Sequence, residues 1–114
     1  MDGPTLTVKF YRSEAGKEPV RDFLRALATG DRRITGSDIK LVQFGWPLGM
    51  PLVRKLHRNL WEVRSVVSDG IVRILFTVHG DHMVLLHALV KKSQKLPSAD
   101  LKLALTRLRK LQEA

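Results

Sequence analysis

The stretch from Leu52 to Lys92 most constrains the fold, because short apolar runs there are broken three times by two-residue turn signals. Asp69-Gly70 is the strongest of the three. A tight hairpin needs left-handed backbone at its tip, and Asp-Gly supplies it at low cost. Gly80-Asp81 is a second such signal and Arg58-Asn59 a weaker third. Strands joined by loops this short run up and down beside one another, so the region predicts an antiparallel meander.

Two-residue loops fix the register, and the register assigns side chains to faces. One face collects Leu56, Trp61, Val63, Val67, Val72, Ile74, Phe76, Val78, Met83, Leu85 and Leu89, with only Ser65 and His87 interrupting it. It is the face expected to be buried under helices, with His87 as a hydrogen-bonded core histidine. The other face carries Glu62, Arg64 and Arg73, with Lys55, His57 and Lys92 toward its ends. In this register Arg64 stands opposite Leu75 with Arg73 as its diagonal neighbour, and Glu62 stands opposite Lys55. Strands this apolar rarely accept guanidinium groups mid-strand without a partner or a ligand. Two readings are open: Glu62 pairs with Arg64 or Lys55 to stitch the sheet, or the arginines form a phosphate site.

The flanking segments supply helices. Thr5–Tyr11 alternates as a half-buried strand. Pro19 suits a first helical position, and Val20, Phe23, Leu24 and Leu27 make one apolar stripe, ended by Gly30. Asp31 is placed to cap a second helix that Gly45 closes. Trp46–Pro51 is a loop, since two prolines and a glycine deny it regular structure. Ser98 is placed to cap a last helix to Gln112, striped by Leu101, Ala104, Leu105, Leu108 and Leu111. The order β-α-α-β-β-β-α, with the first hairpin counted as one unit, predicts an α+β fold. It is a small antiparallel β-sheet with two N-terminal helices on one face and a C-terminal helix. At 114 residues the chain is expected to be a single domain.

Composition narrows the partners. There are 20 Lys+Arg against 11 Asp+Glu, a formal net charge of +9, which favours a polyanionic partner. No cysteine is present, which excludes disulfides and thiolate zinc sites and fits a reducing, cytoplasmic setting. No run approaches a membrane span, and Met1-Asp2-Gly3-Pro4 does not open a signal peptide. His57, His79, His82 and His87 lack metal-ligand spacing, so neither a metal nor another cofactor is expected.

Three stretches, Leu60–Arg64, Val72–Phe76 and His87–Pro97, the last containing Lys91-Lys92-Ser93-Gln94-Lys95, resemble the HigB-type toxins of the RelE/ParE toxin–antitoxin superfamily. The resemblance spans about Val8 to Leu108. It implies a small antiparallel sheet with packed helices and a ribosome-dependent mRNA endonuclease, with the ribosome and mRNA as partners and a cognate antitoxin as inhibitor. Arg64 and Arg73 match the two arginines of the family's central strands, and Lys91 and Lys92 fall at the basic end of its last strand. Two features depart from RelE: Glu62 stands where a lysine is expected, and the only tyrosine is Tyr11, so the general base stays open.

A metal-free ribonuclease has to deprotonate a ribose 2′-hydroxyl, stabilise a phosphorane and protonate the leaving 5′-oxygen. Arg64 and Arg73 suit the second task. The proton-transfer candidates are Lys91, Lys92 and Lys95 as a cluster, then His57, then Glu62. Two rivals share the composition: a ParE-like poison that binds DNA gyrase without cutting RNA, and a non-catalytic RNA-binding module. The second would be favoured by aromatic stacking platforms, and aromatics are only 6% of the chain.

Overall fold

The computed structural model describes residues 3–93 and 95–114; Met1, Asp2 and Gln94, a spacer of the Lys-Lys-x-x-Lys segment, lie outside the described residues. The elements follow the predicted order: β1 (Thr7–Phe10), α1 (Pro19–Ala26), α2 (Thr29–Gly45), β2 (Val53–His57), β3 (Leu60–Val67), β4 (Gly70–His79), β5 (His82–Lys91) and α3 (Ser98–Glu113). The fold is α+β. Strands β2 to β5 form the expected meander, in the spatial order β1-β5-β4-β3-β2. The sheet is nevertheless mixed, because β1 lies parallel to β5. Parallel neighbours need a long connection, and here most of the chain separates the two strands.

The helices do not share one face. Helices α1 and α2 cover the first face, where Val63, Val72, Ile74, Phe76, Met83 and Leu85 join Val20, Ile39 and Val42 in one core. Trp46 meets Trp61 and Phe76 edge-on over this core, with centroids 5.0 and 5.7 Å apart. The second face is also apolar at Leu60, Leu75, Val84, Leu86 and Leu89, and α3 covers it with Ala104 and Leu108. A second apolar face has to be buried too, at roughly 1.5–3 kcal/mol per large side chain. The two N-terminal helices thus share one face, as expected, and the C-terminal helix takes the other.

Element boundaries shift for identifiable reasons. Helix α1 ends at Ala26, short of Gly30, and α2 starts at Thr29 with no side-chain cap. Asp31 therefore sits inside the first turn of α2, and its carboxylate accepts from the Ser68 hydroxyl at 3.1 Å, tying α2 to the β3–β4 turn. Ser98 is the first residue of α3 and not its cap; Pro97 precedes it. Among the described residues no helix is long and apolar enough to cross a membrane.

Three departures set the register. The β3–β4 turn is Ser68-Asp69, one residue earlier than expected, because Val67 pairs with Gly70. Arg64 therefore faces Arg73 directly, not Leu75. An irregularity between Lys55 and His57 places Arg54, not Lys55, opposite Glu62. In β5 a bulge follows Leu85: Phe76 pairs with Leu85, but Leu75 pairs with His87. The extra residue, Leu86, reverses which side chains face which way. His87, Leu89 and Lys91 thus join the arginine face, while Ala88 turns to the first core.

Gly70 is fixed by its surroundings. Its φ is +153°, and a Cβ there would lie 3.0 Å from the Lys91 carbonyl oxygen and 3.2 Å from its carbon. Backbone atoms cannot swing aside as a side chain can. Gly70→Ala is expected to cost about 1–3 kcal/mol, measured by urea unfolding, and to loosen the end of β5 in hydrogen exchange. Unchanged stability would mean that the turn relaxes freely.

Candidate functional site

The register lays the second face out in rows across the sheet. Arg54, Glu62, Leu75 and His87 form one row, Arg64, Arg73 and Leu89 the next, and Val66, Ile71 and Lys91 the third. Helix α3 packs on β5 and β4, over Leu75 and Leu89. Arg64 and Arg54 lie on β3 and β2, along the margin that it leaves, and Arg73 lies beside them on β4.

Glu62 is fully buried among three guanidinium groups. Arg54 Nη2 is 3.3 Å from its Oε1, Arg64 Nε 3.8 Å from the same oxygen, and Arg73 Nη1 3.4 Å from Oε2. Among the described residues, one carboxylate thus serves three cations. A buried carboxylate is tolerated only when paired, which accounts for Glu62 mid-strand. The cations outnumber it, so the cluster keeps a positive field. Arg54 Nε and Arg73 Nε are also buried, with no hydrogen-bond partner among the described residues.

The three arginines are not equivalent. Arg73 is fully buried, and its Nη2 donates to the Ser93 carbonyl at 2.7 Å. It ties the segment after β5 to the middle of the sheet. A side chain so enclosed offers no surface to a ligand in this arrangement. Arg64 and Arg54 reach the surface, with side chains 17% and 36% exposed. Beside Arg64 lies a shallow cleft of about 450 Å³ lined by Pro51, Leu52, Arg64, Val66 and Ile71. It puts an apolar floor next to a guanidinium.

The lysines lie at and just beyond the end of β5, tied to the cluster through Arg73 and Ser93. Lys91 ends β5 on the arginine face, opposite Ile71, so the bulge gives Lys91 the place expected of Lys92. Lys92 and Lys95 are exposed just beyond, and the Lys95 backbone N–H donates to Ser93 Oγ at 3.1 Å. Ser93 is therefore held twice, by Arg73 through its carbonyl and by Lys95 through its hydroxyl. His57 is not brought to this site. It is exposed at the β2–β3 turn and lines a separate cleft with Arg58, Asn59, Leu105 and Arg109.

Two features escaped the sequence reading. Arg54 was hidden because only the β2 irregularity places it opposite Glu62. The other is a polar chain beneath α3, which locates His87 on the second face instead of in the first core. His87 Nε2 is 2.6 Å from Asp100 Oδ1, and Arg107 donates to the Leu86 carbonyl at 2.8 Å and lies 3.5 Å from His87 Nδ1. Burial lowers the Arg107 pKa, against the opposing pull of Tyr11. Arg107 is nonetheless a cation at any physiological pH. This chain fixes α3 over the sheet. Among the described residues no group of three His, Asp or Glu side chains could hold a metal ion.

Residues 22–109, well over half of the chain, match the family described as Phage derived protein Gp49-like (DUF891). The chain belongs to this family. Gp49-like proteins are associated with RelE/HigB-like toxins, so the likeness seen in the strand and lysine motifs holds at that coarser level. A search among curated proteins finds no match. The matched region of this Gp49-like chain contains every residue of the arginine cluster and the lysine segment.

Proposed function

We propose that this protein is the toxin of a type II toxin–antitoxin pair and acts as a ribosome-dependent mRNA endonuclease. One observation carries the reading: the carboxylate-deficient arginine cluster, which opens to solvent at Arg64 and Arg54 and is tied through Arg73 to Ser93 of the Lys91–Lys95 segment. A polyanion passing this margin meets planar bidentate donors and mobile ammonium groups together.

In the proposed reaction the 2′-oxygen attacks the adjacent phosphorus and the 5′-oxygen leaves, giving a 2′,3′-cyclic phosphate and a 5′-hydroxyl. The phosphorane's equatorial charge falls to Arg64, with Arg54 nearby. A lysine of the Lys91–Lys95 segment takes the 2′-proton and a second cation donates to the 5′-oxygen. Glu62 acts as the counter-ion that permits three arginines to pack, since full burial keeps it from a 2′-hydroxyl. His57, in its separate cleft, falls out of the proton-transfer set. The remaining positive charge suits ribosomal RNA and an acidic antitoxin segment.

The test is cleavage mapping on a defined transcript in a reconstituted translation system. Cuts are expected within the translated region, absent when ribosomes are omitted, and retained after EDTA when polyamines keep the ribosomes intact, because arginines supply the charge a metal would. Intact transcripts with soluble protein present would refute the nuclease reading. Growth arrest with DNA damage and unbroken transcripts would replace it by gyrase poisoning.

A further inference from the structure

Helix α2 has a second apolar stripe that the fold does not use. Its inner side buries Thr35, Ile39 and Val42. On its outer side Ile34, Leu41 and Phe44 are 43%, 57% and 47% exposed. With Gly30 and Ser37 they follow the spacing i, i+4, i+7, i+11, i+14, the seam by which one helix receives another. The small residues alternate with the large ones, leaving hollows along the seam, and Ser37, Lys40, Leu41 and Phe44 line a surface cavity of about 500 Å³.

The margins of the seam carry opposite charges, and only one is available. Asp31 and Asp38 turn toward β3, where Asp31 holds Ser68 and Asp38 Oδ2 accepts from Ser65 Oγ at 2.7 Å. On the other margin Arg33 and Lys40, one heptad apart, are both exposed. An antiparallel second copy would set this margin against itself, in a chain already carrying +9.

We infer that the outer face of α2 is a docking site for an amphipathic helix of another protein, apolar along its seam and acidic along its edge. The seam lies on the opposite side of the sheet from the arginine cluster, so an occupant leaves Arg64 and Arg54 uncovered. The inference does not depend on the nuclease reading.

The probes are two labelled three-heptad peptides with leucine seams, one edged with glutamate and one with lysine, titrated by fluorescence anisotropy against the intact protein. The glutamate peptide is expected to bind at least about tenfold tighter. Leu41→Glu, at an exposed position, should remove that binding with the circular dichroism spectrum unchanged. Arg33→Glu with Lys40→Glu should reverse the preference between peptides. Equal affinity for the two peptides, no binding of either, or binding indifferent to Leu41→Glu would overturn the inference. A dimer in sedimentation velocity that Leu41→Glu dissolves would also overturn it, by assigning the seam to a second copy.

Discussion

Glu62→Ala is expected to destabilise the protein by about 3–5 kcal/mol, lowering the melting midpoint by about 10–20 °C. The loss comes less from missing contacts than from what is left behind. Arg73 is fully buried beside Glu62, and with the carboxylate gone it faces Arg54 and Arg64 with no described counter-charge. Glu62→Gln, which keeps the shape and one acceptor oxygen but drops the charge, should fall between. Thermal and urea unfolding decide the matter. A loss below about 1 kcal/mol would place the cluster among weak, hydrated surface pairs.

Arg64→Ala is expected to lower translation-coupled cleavage by roughly 10²–10³ while leaving the fold intact, the effect typical of a donor aimed at developing charge. Its side chain reaches solvent, and Glu62 keeps Arg54 and Arg73 when it is removed. Arg64→Lys should not restore the rate, because an ammonium lacks the planar fork. Arg73→Ala should behave differently, losing stability and activity together, since it frees Glu62 on one side and the Ser93 carbonyl on the other. Cleavage assays read beside circular dichroism separate the two residues. Full activity in Arg64→Ala would remove it from the chemistry.

What the sequence made legible follows from the period of its apolar residues. Alternation from Leu60 to Leu85 placed Trp61, Val63, Ile74 and Phe76 on one buried face without any structure. That outcome survives a two-residue slip in pairing, which preserves faces while changing partners. This is why Arg64 and Arg73 were placed on a common face and yet their direct pairing was missed. Strand irregularities are another matter. Neither the Lys55/His57 irregularity nor the bulge after Leu85 leaves a pattern in composition, because an extra residue in an apolar run is still apolar. Arg54 was passed over, and His87 and Lys92 were placed on the wrong faces, because of those irregularities. The position of α3 was obscured similarly: the second face carries Glu62, Arg64 and Arg73, so it read as an ion-paired or phosphate-binding surface and not as a seat for a helix.

Leu86 shows how little chain separates one arrangement from another. Were β5 to pair as an unbroken pleat with Leu86 included, Leu86 would take the place of His87 opposite Leu75, and every side chain from His87 onward would change sides. Lys91 would leave the arginines for the opposite face, and His87 would leave Asp100. Removing Leu86 outright would do none of this, because Leu85 and His87 already take alternate faces on either side of it. The seat of α3 and the address of the lysine segment thus depend on one residue that the pairing skips, counted in the chain and not in the ladder.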